Sequence, residues 1–462
     1  MLFNSLEFIF AFLPLTFFIY FFLLNRRLIV GAKGFLVFAS LFFYSWWNIA
    51  YLPLILGSML FNYVIGNSLN ENFARARVSK KALLAFGIIG NISLLGYFKY
   101  SDFFIKNFNL AIDGSVPLLH LALPLAISFF TFQQVAYLVD SYREETKEYD
   151  FLNYALFVTF FPQLIAGPIV HHAEMMPQFA SRWNLAKNYK NISAGLFVFS
   201  IGLFKKVVIA DYFATFATNG FDHAQTLNIL EGWATSLSYT LQLYFDFSGY
   251  TDMAIGVALL FNIKLPINFN SPYKALDIQD FWRRWHITLS RFLRDYIYIP
   301  LGGNRKGDLS TYTNLMITFL IGGLWHGAGW TFIFWGFLHG AALVVVHIWK
   351  QYGFRMHKVL AWFITFNFVN ITWVFFRAKE WDDATKVLSA MFNFPEFSMK
   401  LFNADIYGQL LLMVIFLVIA KNSMQYKEKF KPTLLYLILS ALAALYALSQ
   451  MSKVSEFLYF NF

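Results

Sequence analysis

The sequence contains no cysteine and few charged residues. None of its 462 residues is a cysteine, which excludes disulfide bonds, thiolate nucleophiles and cysteine-ligated metals. Asp, Glu, Lys and Arg together make up only 13% of the chain, about half of their share in a typical soluble domain. Covalent chemistry in this protein must therefore use oxygen or nitrogen groups.

Apolar and aromatic residues are abundant instead. The chain is 58% hydrophobic and 21% aromatic, with a mean hydropathy of +0.53. A soluble domain could not bury this many apolar side chains in one core. The composition predicts an all-α polytopic membrane protein. Residues 8–24 carry no charge and are long enough to cross roughly 30 Å of hydrocarbon. No small-residue cleavage site follows them, so we expect a retained first span and not a signal peptide.

The apolar blocks along the chain predict about eleven to thirteen membrane segments. These blocks lie near residues 8–24, 34–48, 51–69, 82–98, 117–139, 152–170, 192–216, 229–262, 312–325, 330–349, 358–376, 407–420 and 432–450.

Helix-breaking or polar residues interrupt three of the blocks. They are Pro124 in one, Pro162, Gly167 and Pro168 in the next, and Asp246, Ser248, Gly249 and Asp252 in the block at 229–262. Broken or re-entrant helices are tolerated at membrane depth only where they are buried in protein or line a wet cavity. We therefore expect re-entrant helices around a central tunnel.

The formal net charge is +10, but the cationic residues stand in short clusters between apolar runs. That distribution is typical of the basic loops that orient membrane proteins, so no nucleic-acid partner is predicted. Because nothing basic precedes Arg26, we expect the amino terminus outside and the loop at Arg26 in the cytoplasm. The first two basic clusters, which two crossings place on the same side, are Arg26, Arg27 and Lys33, then Arg75, Arg77, Lys80 and Lys81.

The segment 264–310 is too polar to span a membrane and too aromatic for a simple loop. It predicts interfacial helices on the cytoplasmic side, with aromatic side chains in the lipid boundary and cations among the headgroups. The aromatic residues include Phe281, Trp285 and Phe292. With the histidine-bearing segment 311–349 that follows, we expect one integral membrane domain over residues 1–462.

His326 stands in the sequence LWHGAGW, inside an apolar run. A helix that enters the membrane near Thr313 would place this imidazole roughly 20 Å deep. A neutral imidazole there is suited to removing a proton from a hydroxyl group, and an ionisable residue within a membrane often marks a functional site. The alternative interpretation is a histidine that bridges two helices by hydrogen bonds.

His286 lies in the polar segment, close to a group of arginines. Arg283, Ile287 and Arg291 are spaced to share one face of a single interfacial helix. A solvated or headgroup-bound histidine is the alternative to a catalytic His286. Arg283, Arg284 and Arg291 suit the phosphates of a nucleotide-like donor, because guanidinium pairs with phosphate bidentately. Anionic lipid is the alternative ligand.

Two further sets of residues complete the candidates. Asp246 and Asp252 could orient an imidazole or line a polar tunnel, with capping of a broken helix as the alternative. Asp246 and Ser248 are also candidates for binding the donor substrate. His339 and His347 have no carboxylate at metal-ligand spacing, so we expect no metal site.

Several motifs together strongly resemble the membrane-bound O-acyltransferase family, above all its bacterial branch of alginate and peptidoglycan O-acetylation proteins and teichoic acid D-alanyl transfer proteins. The resemblance covers most of the chain. The motifs are LPLAISFFTFQQVAYLVDSYR at 123–143, FFPQLIAGPIVHH at 160–172, LQLYFDFSGYTDMAIG at 241–256, FWRRWHITLSRFLRDYIYIPLGGNRKG at 281–307, GGLWHGAGWTFIFWGFLHG at 322–340 and ITWVFFRA at 371–378.

The resemblance implies an acyl group that passes from a cytoplasmic thioester through the protein to a hydroxyl outside the membrane. It implies His326 as the catalytic histidine and His286 as a second functional histidine, and Trp325 is a candidate donor to the oxyanion. The implied donor substrate is acetyl-CoA, with no permanently bound cofactor. The implied setting is the bacterial cytoplasmic membrane, with its lipids and a periplasmic SGNH-type transferase as partners in O-acetylation of peptidoglycan or alginate-like polysaccharide.

Three alternatives stay open at the level of sequence. The first is D-alanyl transfer to teichoic acid from a carrier-protein thioester. The second, from another class, is a polysaccharide or lipid transporter, which would also need a polar cavity and broken helices. The third is a non-catalytic scaffold that docks the periplasmic transferase.

Overall fold

The computed structural model describes residues 1–70, 79–146, 150–393, 401–451 and 458. Regular structure in these residues is helical, as expected in lipid, where a helix satisfies its own backbone polar groups. The helices of the amino-terminal part are α1 Leu13–Asn25, α2 Ile29–Ser45, α3 Leu52–Asn70, α4 Lys80–Leu95, α5 Ser101–Ile112, α6 Ile127–Tyr142, α7 Phe151–Thr159, α8 Phe161–Leu164, α9 His172–Ala180 and α10 Tyr189–Phe204. The remaining helices are α11 Asp211–Thr218, α12 Ile229–Leu260, α13 Ile278–Arg284, α14 Ile287–Leu293, α15 Asp308–His326, α16 Trp330–Gln351, α17 Lys358–Arg377, α18 Trp381–Phe392, α19 Asp405–Ile419, α20 Ser423–Glu428 and α21 Leu434–Ser449.

Six helical stretches of the described chain are long and apolar enough to cross a membrane. They are Phe8–Asn25, Ile49–Asn70, Lys80–Ile112, Tyr189–His223, Trp330–Gln351 and Lys358–Arg377. The predicted class of an all-α polytopic membrane protein is confirmed. Length and composition support fewer crossings than the eleven to thirteen predicted, because several apolar blocks form shorter or more polar helices. Arg75 and Arg77 of the second predicted basic cluster lie outside the described residues.

The predicted interruptions at Pro124 and Pro162 are found. The block at 117–139 becomes helical only from Ile127, and α7 ends at Thr159 before Pro162 opens the one-turn helix α8. Proline has no backbone N–H to donate, so it is tolerated in the first turn of a helix but not in its interior. The irregular backbone after α8 is buried, which is where such a break is tolerated in a membrane protein.

The predicted interruption in the block at 229–262 is wrong. Helix α12 runs unbroken through Asp246, Ser248 and Gly249. Asp246 stays in the helix because its carboxylate pairs with the buried Lys206, at 2.6 Å. Capping of a broken helix by Asp246 is therefore excluded.

The chain divides into two compact units, each assembled from segments that are distant in sequence. The first comprises Met1–Ser200, Tyr250–Pro266 and Lys431–Ala441, and the second comprises Ile201–Gly249, Ile267–Phe430 and Leu442–Phe462. In the first unit, Phe8, Phe12, Phe43 and Phe161 form a buried aromatic cluster with ring centroids 5.2–6.2 Å apart. The second unit contains both candidate histidines. The expectation of one integral membrane domain stays a prediction.

Candidate active site

His286 lies at a break between two short helices. Helix α13 ends at Arg284, Trp285 is extended, and His286 adopts a left-handed conformation with φ +43° before α14 begins at Ile287. A residue other than glycine in this conformation is uncommon and is often found at functional sites. The expectation that Arg283, Ile287 and Arg291 share one face of a single helix is therefore wrong.

Asn268 fixes the position and the tautomer of His286. Its Oδ1 accepts hydrogen bonds from the backbone N–H and the hydroxyl of Thr288, at 3.2 and 3.0 Å, and lies 3.1 Å from Nδ1 of His286. Because a backbone N–H can only donate, the amide atom facing it must be the oxygen. Nδ1 of His286 must then carry the proton and donate to Asn268, which leaves the lone pair of the imidazole on Nε2.

His286 is deep inside the protein. Its side chain is 0% exposed, so the alternative of a solvated or headgroup-bound histidine is excluded. Burial lowers the pKa of His286 to about 3, because an imidazolium ion is poorly solvated in the protein interior. The imidazole is therefore neutral at physiological pH.

The aromatic residues around His286 are also buried, and their predicted place in the lipid boundary is wrong. Phe281 stacks on Trp285 at 5.7 Å, and Trp285 packs against Trp373 of α17 at 4.9 Å. This packing buries both rings in the protein, so the segment turns inward at this point and carries His286 with it.

His326 is the last residue of α15, and its side chain is 3% exposed. Gly327 ends the helix in an extended conformation. Just before the histidine, Gly323 of α15 lies against Gly336 of α16, where an added Cβ on Gly323 would lie 3.1 Å from the Cα of Gly336 and overlap the carbonyl oxygen of Phe332. The small residues therefore let α15 and α16 approach closely and place His326 against α16.

The two imidazoles come together in an aromatic pocket. Their ring centroids are 6.5 Å apart. Trp325 lies 4.8 Å from the ring of His326 and 6.2 Å from that of His286. The other rings that line the pocket are Phe247, 4.7 Å from His286, and Trp335 and Phe376, 5.2 and 5.0 Å from His326. The structure thus joins three of the residues singled out in the sequence, His286, His326 and Trp325.

The predicted donor-binding arginines have different surroundings. Arg284 donates to Asp280 at 2.8 Å and to the carbonyl oxygen of Asn270 at 3.4 Å. Arg283 is exposed at the end of α13. Arg283 therefore offers its guanidinium to the surroundings, whereas the charge of Arg284 is offset by a carboxylate.

Asp246 and Ser248 lie on α12, which also supplies Phe247 to the pocket. Asp246 is committed to an ion-pair network, since Lys206 lies 2.6 Å from Asp246 and 2.9 Å from Asp211. The backbone N–H of Leu458 also donates to Asp246, at 3.0 Å. Ser248 is buried. Orientation of an imidazole, predicted for Asp246, is carried out at His286 by Asn268 instead.

His339 joins three helices. The indole N–H of Trp282 on α13 donates to its Nδ1 at 3.2 Å, and its Nε2 lies 3.0 Å from the hydroxyl of Thr372 on α17. That hydroxyl donates in turn to the carbonyl oxygen of Val369, so His339 must be the donor to Thr372. Both ring nitrogens of His339 are therefore engaged.

Sequence reasoning missed four residues of the pocket: Phe247, Asn268, Trp335 and Phe376. Asn268 lies in the stretch INFNSP and Trp335 in FIFWGF. Neither stretch has a residue spacing that indicates contact with His286 or His326. Their contribution is visible only in the contacts of the folded chain.

Comparison with known proteins extends over most of the chain. The model of the membrane-bound O-acyltransferase family matches residues 8–379, a range that includes the whole pocket. A peptidoglycan O-acetyltransferase of Helicobacter pylori is 58% identical over 421 residues, which cover 85% of this chain and 80% of the relative. A probable alginate O-acetylase of Pseudomonas aeruginosa is 40% identical over 429 residues, 91% of this chain and 81% of the relative. A teichoic acid D-alanyltransferase of Bacillus subtilis is 29% identical over 271 residues, 55% of this chain and 69% of the relative.

Proposed function

This chain belongs to the membrane-bound O-acyltransferase family, and from that premise we propose that it passes acetyl groups from cytoplasmic acetyl-CoA across the membrane for O-acetylation of a cell-envelope polysaccharide. The chain is a multi-pass membrane acyltransferase. The observation that carries the proposal is the burial of His326 beside His286 in one aromatic pocket.

The relatives support acetyl as the acyl group and peptidoglycan as the acceptor. The peptidoglycan O-acetyltransferase is 58% identical to this chain and the alginate O-acetylase 40%. The D-alanyltransferase is similar over a smaller share of the chain, so D-alanyl transfer is the second candidate. In our proposal the protein lies in the bacterial cytoplasmic membrane and hands the acetyl group to a periplasmic SGNH-type transferase.

We assign the proton transfer to His326. The neutral imidazole takes the proton of the acceptor hydroxyl as its oxygen attacks the carbonyl carbon of the thioester. The carbon–sulfur bond then breaks, the electron pair leaves with the sulfur, and the proton passes from the imidazole to the thiolate. Burial of the pocket strengthens these electrostatic interactions because water is excluded. His286 presents the lone pair of Nε2, the nitrogen on the far side of the ring from Asn268, as a hydrogen-bond acceptor in the same pocket.

We assign Arg283 to the phosphates of the donor, since its exposed guanidinium can pair with phosphate oxygens. Arg284 supports the same site more weakly because Asp280 already neutralises it. Asp246 is held by Lys206, so the proposal gives Asp246 and its neighbour Ser248 no direct contact with the donor. Trp325, which packs on both imidazoles, shapes the pocket.

The test is the release of CoA from acetyl-CoA by purified protein in detergent, with the acetyl group passing to water or to an added peptidoglycan fragment. Because the chain contains no cysteine, a thiol reagent added during turnover reports only the released CoA. His326→Ala should lower the rate about 10²- to 10⁴-fold, the usual contribution of a general base, with the melting temperature little changed.

The matched control is His357→Ala, which removes an exposed imidazole at the start of α17 and should leave the rate unchanged. Equal rates for the wild type and His326→Ala would reject the assignment of catalysis to this residue. A transporter would leave the thioester intact in both proteins. Release of D-alanine from a carrier-protein thioester, with no release from acetyl-CoA, would establish the second candidate.

A further inference from the structure

The indole N–H of Trp335 is a buried donor with no acceptor. The side chain is 1% exposed, and no hydrogen-bond partner for its Nε1 exists in the part of the chain that the structure describes. Other tryptophans of the same unit are satisfied: Trp282 donates to His339, Trp373 to the hydroxyl of Tyr273, and Trp233 to the carbonyl oxygen of Met391. Since buried N–H groups are nearly always paired, the exception at Trp335 needs a physical reason.

The neighbours of Trp335 do not supply the missing acceptor. Its ring lies 4.7 Å from that of His339, but both nitrogens of His339 are already engaged by Trp282 and Thr372. Phe376, 5.2 Å away, has no lone pair to offer. The ring of His326 is perpendicular to the indole at a centroid distance of 5.2 Å. The unused donor is thus in the wall of the pocket next to the proposed base.

Acyl transfer creates a hydrogen-bond acceptor that could pair with the indole N–H of Trp335. When a hydroxyl oxygen attacks a thioester, the carbon–oxygen bond forms and the π electrons of the carbonyl move onto its oxygen. That oxyanion is stabilised by hydrogen-bond donors that are already in place within a site that excludes water. When the carbonyl re-forms, the carbon–sulfur bond breaks and the thiolate leaves with the proton held by the imidazole.

We propose that the indole N–H of Trp335 donates a hydrogen bond to the carbonyl oxygen of the acyl thioester and stabilises the oxyanion during transfer. The inference rests on the proposed function and adds to it a catalytic residue on α16. The indole is held rigidly, because its ring stacks on Trp373 at 5.7 Å with an interplanar angle of 18°. A donor fixed in this way loses little freedom when the oxyanion forms.

The test is Trp335→Phe, which removes the N–H and keeps an aromatic ring. The kcat for CoA release from acetyl-CoA should fall about 10²- to 10³-fold, the effect of removing one oxyanion donor, and KM should change less than about threefold, since a donor that binds mainly the transition state affects kcat. The melting temperature should fall only by what the smaller ring costs in packing, because the removed N–H had no hydrogen bond to lose.

The matched control is Trp233→Phe, which removes an indole N–H that is bonded to Met391 and lies outside the histidine pocket. This variant should keep the wild-type kcat and melt at a lower temperature. An unchanged kcat in Trp335→Phe overturns the inference. A fall in kcat that matches the loss of folded protein at the assay temperature also overturns it, because the N–H would then support the fold.

His326→Ala separates this inference from the proposed function. If His326→Ala is inactive while Trp335→Phe is fully active, the oxyanion assignment alone fails. If His326→Ala turns over acetyl-CoA at the wild-type rate, the assignment of the base to His326 fails, whatever Trp335→Phe does. If the wild type itself releases no CoA from acetyl-CoA, the proposed function fails.

Discussion

At the scale of single residues, one acceptor atom decides how His286 can act. The Oδ1 of Asn268 accepts from Nδ1 of His286 and from Thr288, which fixes both the tilt of the imidazole and the nitrogen that carries its lone pair. An amide oxygen is neutral, so it orients the imidazole without favouring the charged form. A carboxylate in the same place would orient the imidazole and also favour its charged form.

Asn268→Asp should therefore introduce a pH dependence that the wild type lacks. Burial lowers the pKa of His286 to about 3, so the wild-type imidazole stays neutral between about pH 5 and 8. A carboxylate beside Nδ1 stabilises the imidazolium ion and raises that pKa. In the variant, kcat/KM should fall as the pH is lowered through the raised pKa of His286, a decrease that the wild type does not show for this group between about pH 5 and 8.

Asn270→Asp is the control for this experiment. It adds the same charge two residues away, where Asn270 accepts from Asn422 and does not contact an imidazole, and its profile should match the wild type. Superimposable profiles for Asn268→Asp and the wild type would show that the proton state of His286 does not limit the reaction.

The histidines could be found from the sequence, and their partners could not. An imidazole in an apolar run is rare enough to be noticed, and the family resemblance adds the roles of His326 and His286. Asparagine and tryptophan are common residue types in this sequence, so nothing about Asn268 or Trp335 marks them as functional. Asn268 is distinguished by its hydrogen bond to His286, and Trp335 by an indole N–H without an acceptor in the described part of the chain. Both features depend on how distant segments pack.

At the scale of helices, the pocket depends on one break and one close approach. The break between α13 and α14 was not predictable, because residues 278–293 contain neither glycine nor proline. Tertiary contacts cause it: Asn268 accepts from the backbone N–H of Thr288 in the first turn of α14, and so replaces a bond that a continuous helix would have made. The close approach joins α15 to α16 through Gly323 and Gly336.

Gly323→Ala should separate α15 from α16 and displace both His326 and Trp335. The added Cβ would overlap the carbonyl oxygen of Phe332 and lie 3.1 Å from the Cα of Gly336. Backbone atoms cannot yield as a flexible side chain can, so we expect a loss of about 1–3 kcal/mol in stability. Thermal unfolding in detergent and the rate of CoA release should both decrease.

Gly408→Ala is the matched control, since Gly408 lies in α19 with no heavy atom within 4 Å of the added Cβ. Alanine has the higher helix propensity, so this variant should be as stable as the wild type or slightly more so. Wild-type stability and activity in Gly323→Ala would contradict the close approach of the two helices.

At the scale of the whole molecule, composition predicted the class and family resemblance predicted the activity. The number of membrane crossings is harder to predict from the sequence, because apolar content does not show whether a block forms one long helix or several short ones. The blocks at 117–139 and 152–170 contain the short helices α6, α7 and α8. The sidedness expected from the basic clusters, with the loop at Arg26 in the cytoplasm, stays a prediction that the direction of acyl transfer would test.

The proposed function requires the chemistry at His326 to carry an acyl group from one side of the membrane to the other. The most direct measurement uses sealed proteoliposomes that receive acetyl-CoA, labelled in its acetyl group, on the outside only. With wild-type protein, label should accumulate in the lumen as acetate or as an ester of an enclosed peptidoglycan fragment, while unlabelled CoA stays outside. With His326→Ala, the luminal label should remain at the level of protein-free vesicles. Equal luminal label with the two proteins, or thioester cleavage whose acetyl product stays on the donor side, would rule out acyl transfer across the membrane through His326.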